Sequence, residues 1–453
     1  MMPRALATIA AATAGTATGG DPVIDRVVTD SREAQPGALF VALVGDHRDG
    51  HDFVADAFAR GASAALVGRA TAGGPTVTVG DTGAALLALG ADERARMEPV
   101  TVVGITGANG KTSTKDLTAA VLANAFLIHA SPASFNNEIG VPMTLLGAPV
   151  GTEVVVAELG ARHVGDVTAL CGVARPDVAV VTNVGVAHME YFGSWEAIVA
   201  SGSEPVEALP ADGTAVLNLD DPVVRTYRDR ARCRVLGVGL TPEAEVRAEG
   251  VELDADGRAS FDLVVARGST RVRLPVPGEH MVPNALAAAG VGIALGLEAA
   301  DCADGLEAAR ISHWRMERTV TADGVRILND AYNANPESMA AGLRAARWIA
   351  RDVRLIAVLG HMAELGPIAF EEHERIGRLA VRIGVDRLIT VGETAETIAR
   401  AAIREGALPG DVVSYADADA AAEDVRRSAR TGDVVFLKGS RVAGLERVAE
   451  ALA

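Results

Sequence analysis

The sequence predicts an α/β chain of three domains: a small α/β N-terminal domain over 1–98, a central P-loop ATPase-like parallel-sheet domain over 99–313 and a C-terminal Rossmann-like domain over 314–453. Three observations carry this. A chain of 453 residues exceeds what one core ordinarily organises. Short β-branched apolar runs alternate with helical stretches along its length, the pattern of parallel sheets covered by helices. The run from Thr101 to Thr106 breaks into Gly107-Ala108-Asn109-Gly110-Lys111-Thr112-Ser113-Thr114, as a buried strand does when it passes through a phosphate-binding turn into a helix.

Composition narrows the function classes. A formal net charge of −17 argues against a general binder of nucleic acid or anionic membranes, both of which need an excess of Lys and Arg on one face. No stretch approaches the roughly 18 apolar residues that cross a bilayer. Cys171, Cys233 and Cys302 are odd in number and widely spaced, giving neither a disulfide framework nor a metal spacing, so the expected setting is a reducing cytoplasm. The Ala-rich run from Leu6 to Ala12 predicts a short helix closed by Gly15 or Gly19 rather than a leader peptide.

In the N-terminal domain, strands are expected at 38–44, 64–67 and 76–79 and a helix at 53–60. Ser31 and Arg32 follow a strand and could hold a phosphate by hydroxyl and guanidinium. Taken alone they read more readily as a turn and a solvated charge.

In the central domain, Gly107, Asn109 and Gly110 form the turn, Lys111 supplies a positive charge, and the Thr112 and Ser113 hydroxyls open a helix that runs to about Ala125. The long form of this motif has glycine where Ile105 stands, so this is the short form. ATP is the expected ligand. Strands at 153–157 and 178–181 lead into Glu158 and into Thr182 to His188. In an open parallel sheet, Lys111, Glu158 and His188 then share the crevice beyond the strand ends. There Thr112, Glu158 and His188 are candidate magnesium ligands. The amide-rich loop with Asn137 could face a substrate or cap the following helix. Asn284, near the start of an Ala-rich helix, could read an adenine edge.

The C-terminal domain alternates strands at 326–328, 355–359, 387–391 and 433–437 with helices. Its polar strand ends are Asn329 to Ser338, with Asp330, Asn333 and Asn335; Gly360 to Gly366; and Lys438 to Arg441, with Ser440. The charged run Glu371 to Arg375 is expected to be a solvated helix face.

Together, Gly107 to Thr112, Ser134 to Pro142, Asn183 to His188 with Phe192-Gly193-Ser194, Asp330 to Ser338 and Lys438 to Arg441 resemble the Mur ligases, over almost the whole chain. Asn-Asp-x-Tyr-Asn-Ala-Asn-Pro points to the branch that adds D-alanyl-D-alanine. The resemblance implies ATP-dependent amide synthesis in cytoplasmic peptidoglycan assembly, through an acyl phosphate, by a monomer acting on a UDP-linked muramyl peptide. It implies phosphates on Lys111 and Thr112, two magnesium ions on Thr112, Glu158 and His188, nucleotide contacts from Asn284, Arg315 and Asp330, and the uridine diphosphate end on Ser31 and Arg32. Asn137, Asn333, Asn335 and Ser440 would line the remaining substrate path. Domain closure would hinge near residues 313 to 315.

Three positions depart from the family pattern. Gly202 stands where relatives carry a carbamylated lysine that helps hold the second magnesium, which predicts a gain of activity from Gly202→Lys. Met281 replaces an asparagine and His361 an aspartate. A paralogue joining another acid and amine, or a nucleotide-binding protein without ligation, are the alternatives.

Overall fold

The computed structural model describes residues 1–45 and 47–452. Among them the strands form three large sheets of five, nine and six strands and one two-stranded ribbon. No described helix is long and apolar enough to cross a membrane.

The first large sheet runs in the order Thr16–Thr18, Thr76–Thr78, Ala64–Val67, Ala38–Val41, Arg26–Val28, antiparallel only at the first pair. Ala38–Val41 and Ala64–Val67 are buried at every position, which is why they stand out as continuous apolar runs. The first helix ends at Ala12 with Thr13 at its cap, and Gly15 closes it as expected, its N–H donating to the Ala10 carbonyl at 2.8 Å across a left-handed Ala14 at φ 51°. The Thr13 hydroxyl adds a bond to the Ile9 carbonyl at 2.8 Å in the same turn. The helix Thr82–Arg96 and the hairpin strands around Val246–Leu253 are the elements the apolar pattern did not announce.

The nine-stranded sheet is built around Thr101–Thr106. From there the chain goes to one side, through Ile128–Ala130 and Val154–Glu158, and then crosses to Val178–Val181, Thr214–Asn218 and Arg234–Gly239, all parallel. That change of direction opens a crevice beyond the carboxyl ends of the central strands. Val246–Leu253, Arg258–Val265 and Gly268–Pro277 extend the far edge, the last two pairings antiparallel. The helices Lys111–Leu122 and Met281–Ala294 pack on the sheet through Leu117, Val121, Ala285 and Leu286, all fully buried.

The six-stranded sheet has the order Glu317–Val320, Arg326–Asn329, Val434–Lys438, Leu355–Gly360, Arg387–Val391, Val412–Tyr415, parallel except for its first pair. The carboxyl ends of its central strands carry Asn329, Gly360 and Lys438 and face the central sheet's crevice through the contacts described next.

Candidate functional site

Two backbone positions in the loop after Thr101–Thr106 admit only glycine. Gly107 has φ 135°, and a Cβ there would lie 2.1 Å from the Thr182 hydroxyl; Gly110 has φ 82°, with a Cβ 2.3 Å from the Asn284 amide oxygen. The loop is tied to the neighbouring strand end. Asn183 accepts from the Asn109 N–H at 2.8 Å and donates to the Asn109 carbonyl at 2.9 Å, and the Thr182 hydroxyl donates to the same carbonyl at 2.7 Å. The loop is therefore shaped before any ligand arrives. Asn284 packs against Gly110, with its amide 3.6 Å from the Met281 sulfur.

Lys111 opens the helix, and its ammonium donates back to the Gly107 carbonyl at 2.6 Å. Burial pushes its pKa down, and the nearby Glu158 partly offsets this. Next to it, the Thr112 hydroxyl donates to Glu158 Oε2 at 2.9 Å and meets Ser134 Oγ at 2.9 Å. The other Glu158 oxygen accepts from the Asn136 amide at 2.8 Å, and Glu158 is 1% exposed. A buried carboxylate served by neutral donors, beside a hydroxyl at a phosphate loop, suits one hard cation such as magnesium. The remaining ligands would be phosphate oxygens. For a second ion the described residues offer no cluster of three His, Cys, Asp or Glu side chains.

Gly202 is tightly enclosed. It lies within the helix Trp195–Glu207, and a Cβ there would stand 2.5 Å from the Tyr227 hydroxyl. Tyr227 is fully buried and donates to the Val199 carbonyl at 2.7 Å, so it fills the space a longer side chain would need. A lysine at Gly202 would have to displace this phenol at its first carbon, which weighs against the gain of activity expected of Gly202→Lys.

His188 sits at φ 58°, and its Nδ1 is hydrogen-bonded to Glu364 of the C-terminal sheet's loop. Burial, then the Lys111 charge, lower its pKa, which favours the neutral imidazole. Arg315 comes from the segment joining the two sheets, between Trp314 and Met316, both left-handed at φ 59° and 53°. Its Nη2 donates to the Thr112 hydroxyl at 3.1 Å, and its guanidinium lies 4.2 Å over the Tyr332 ring. Asp330 fixes that segment by accepting from the Met316 N–H at 3.1 Å, and pairs with the buried Lys438 ammonium at 2.5 Å. Burial lowers the Lys438 pKa against the pull of Asp330.

The fold thus brings Gly107, Asn109, Gly110, Lys111, Thr112, Glu158, Asn284 and Arg315 together, with Ser113 buried in the same first turn and His188 near enough to feel the Lys111 charge. Asn333 contributes its carbonyl to Lys438 at 3.0 Å, and the Ser440 hydroxyl accepts from the Ala363 N–H at 2.7 Å. Two amides singled out as substrate residues are engaged in capping: Asn137 accepts from the Gly140 N–H, and Asn335 caps the helix Pro336–Ile349. Ser31 and Arg32 lie by the first sheet; Ser31 donates to Asp56 at 2.7 Å, while the exposed Arg32 pairs with Asp30 at 2.5 Å. Sequence reasoning passed over Asn136, Asn183, Tyr332 and Glu364. The amide pairing of Asn183 with the loop was the one readable signal, since Thr182-Asn183 ends a strand next to it.

Models of Mur ligase domains match three segments: the family's catalytic domain over residues 23–89, the middle domain over 105–292 and the glutamate ligase domain over 314–441. The UDP-N-acetylmuramoyl-tripeptide--D-alanyl-D-alanine ligase of Mycobacterium tuberculosis is 42% identical, covering 95% of this chain and 92% of the relative. The crystal structure of MurF from Acinetobacter baumannii superposes with a TM-score of 0.89 at 31% identity, over 100% of this chain and 99% of that one. MurF from Thermotoga maritima in complex with ADP gives 0.81 at 29%, over 94% and 96%.

Proposed function

The chain belongs to the Mur ligase family, and from that premise we propose that it is an ATP-dependent ligase joining D-alanyl-D-alanine to a UDP-N-acetylmuramoyl tripeptide in peptidoglycan precursor synthesis. The observation that carries the reading is the 3.1 Å bond from Arg315 to Thr112 beside buried Glu158, where a phosphate loop and an arginine from the third domain meet. A ligase that must hold ATP, an acid and an amine at one point needs such a junction.

In this reading the loop backbone and Lys111 hold the β- and γ-phosphates of ATP. Thr112 and Glu158 are the residues that would hold magnesium, which would supply neutralising charge to the phosphate oxygens. The peptide's terminal carboxylate attacks the γ-phosphorus, the bond to the β-phosphate oxygen breaks, and ADP leaves. The free amine of D-alanyl-D-alanine then attacks the acyl carbon, and phosphate departs with the C–O electron pair. Both reacting partners are anionic, so Lys111 and Arg315 contribute by countering charge and fixing geometry. Asp330 and Lys438 act on the segment that carries Arg315, and Asn284 acts on the shape of the loop. Ser31 and Arg32 take the uridine diphosphate end. The domains divide near 98 and 313, and the enzyme works as a cytoplasmic monomer.

The test is ADP release. Release only when UDP-MurNAc-tripeptide and D-alanyl-D-alanine are both present supports the proposal. Silence with that pair but turnover with another acid and amine points to a paralogue, a reading to which the filled space above Gly202 lends support. ATP binding with no acceptor-dependent release would refute ligation.

A further inference from the structure

Glu364 joins the two larger sheets across 176 residues of chain. It sits in the loop after Leu355–Gly360 at φ 62°, a left-handed conformation that disfavours any residue with a Cβ, as His188 does at φ 58°. Strain of this kind persists only where surrounding contacts enforce it, and here both strained residues face each other. The backbone is closed as well: the Glu190 N–H donates to the Glu364 carbonyl at 3.1 Å, and Gly366, at φ 53°, lies so close that a Cβ would stand 3.1 Å from Glu190 Cα.

The carboxylate is held at both oxygens by the central domain. One oxygen bonds His188 Nδ1, the other accepts from Arg162 Nη2 at 3.1 Å, and the Arg162 guanidinium rests 5.2 Å over the Tyr191 ring. A carboxylate can only accept from a ring nitrogen that carries hydrogen. The bond therefore calls for a proton on Nδ1, and in the neutral ring Nε2 then keeps its lone pair.

We propose that Glu364 is a positioning residue supplied by the C-terminal domain: by accepting the Nδ1 proton of His188 it fixes the tautomer that leaves Nε2 free for work at the phosphate loop, and it does so only while the two domains are docked. This deepens the ligase reading and rests on it. The site then becomes complete on closure, because Glu364 sets one ring from the same domain side that brings Arg315 to Thr112. Carboxylates that orient a working histidine in this way are worth about 10- to 100-fold in activity.

The experiment uses the full chain labelled with ¹⁵N-histidine and bound to ADP, with His188 assigned by the signal lost in His188→Gln. Wild type should show the Nδ1–H tautomer at His188. Glu364→Ala should shift it toward Nε2–H and lower kcat about 10- to 100-fold with KM for ATP within about twofold. Glu364→Gln, whose amide oxygen still accepts, should keep the tautomer and most of kcat, which decides the matter should the alanine variant fold poorly. An unchanged tautomer or unchanged kcat in Glu364→Ala, or a glutamine variant as slow as the alanine one at equal melting temperature, overturns the proposal. The tautomer is read without acceptor substrates, so this failure is separate from a failure of wild-type ligation.

Discussion

Gly202→Ala tests the packing above the helix Trp195–Glu207. At an open mid-helix position this change stabilises by about 1 kcal/mol, because alanine has less backbone freedom to lose. Here the new Cβ would lie 2.5 Å from the Tyr227 hydroxyl, with the next contacts at 3.3 Å. Tyr227 cannot swing away, being fully buried and bonded to the Val199 carbonyl. Overpacking of this kind costs about 1–3 kcal/mol, so the clash outweighs the helix gain. In wild type, Gly202→Ala should lower the melting temperature of the nucleotide-sensitive transition by about 2–4 °C for each net kcal/mol. In a Tyr227→Phe background the hydroxyl is gone and the nearest contacts are the ring carbon and Val184 at 3.3 Å, so the same change should cost clearly less. Calorimetry of the four proteins gives the coupling directly. An alanine that stabilises wild type, or an equal loss in both backgrounds, would refute the assignment of Tyr227 as the group that fills this space.

Lys111→Ala should cut turnover by about 10²–10³-fold with the melting temperature nearly unchanged, measured by ADP release; retained turnover would remove the loop lysine from the mechanism. Tyr332→Ala removes the ring 4.2 Å beneath Arg315 and should raise KM for ATP by roughly 2- to 30-fold, the range of a 0.5–2 kcal/mol stacking loss. Asp49 is held at about 2, below its ordinary 3.8, first by the His51 N–H and then by the His51 ring. A depressed carboxylate pKa gives stability that is complete above the unfolded value and is lost as pH falls through the folded one. Between pH 4 and 2, wild type should therefore lose more melting temperature than Asp49→Asn, and parallel curves would contradict this.

What the sequence made legible was whatever is buried and local. Val178–Val181 and Ala64–Val67 are apolar at every position because parallel strands are covered on both faces, so their bounds could be read directly. Val246–Leu253 was hidden because only Val246 and Ala248 are buried, while Arg247, Glu249 and Glu252 and the intervening Gly250 break up the apolar pattern that Val251 and Leu253 would otherwise continue. The helix Thr82–Arg96 was hidden by small residues, since Ala and Gly make a weak contrast between its faces. Asparagine was ambiguous for a chemical reason: its amide serves a helix end as well as a ligand, and Asn137 and Asn335 are spent on helix ends while Asn136 serves Glu158.

The remaining site contacts were illegible because they join domains. Arg315 reaches Thr112 across 203 residues, and no periodicity encodes such a distance. Its placement depends on a short segment with two left-handed residues, tied at Ser312 to Asp116 of the phosphate-loop helix and at Met316 to Asp330 of the third sheet. One end of the segment thus belongs to each domain. A rotation of the C-terminal sheet must move Arg315 relative to Thr112, because the arginine lies between the two ties. Tyr332 stacks on the guanidinium from the third sheet's side, so the arginine should travel with that sheet and leave Thr112 when the domains part. Charge neutralisation at the phosphate loop should then depend on how the C-terminal sheet sits, through the ties at Ser312 and Met316.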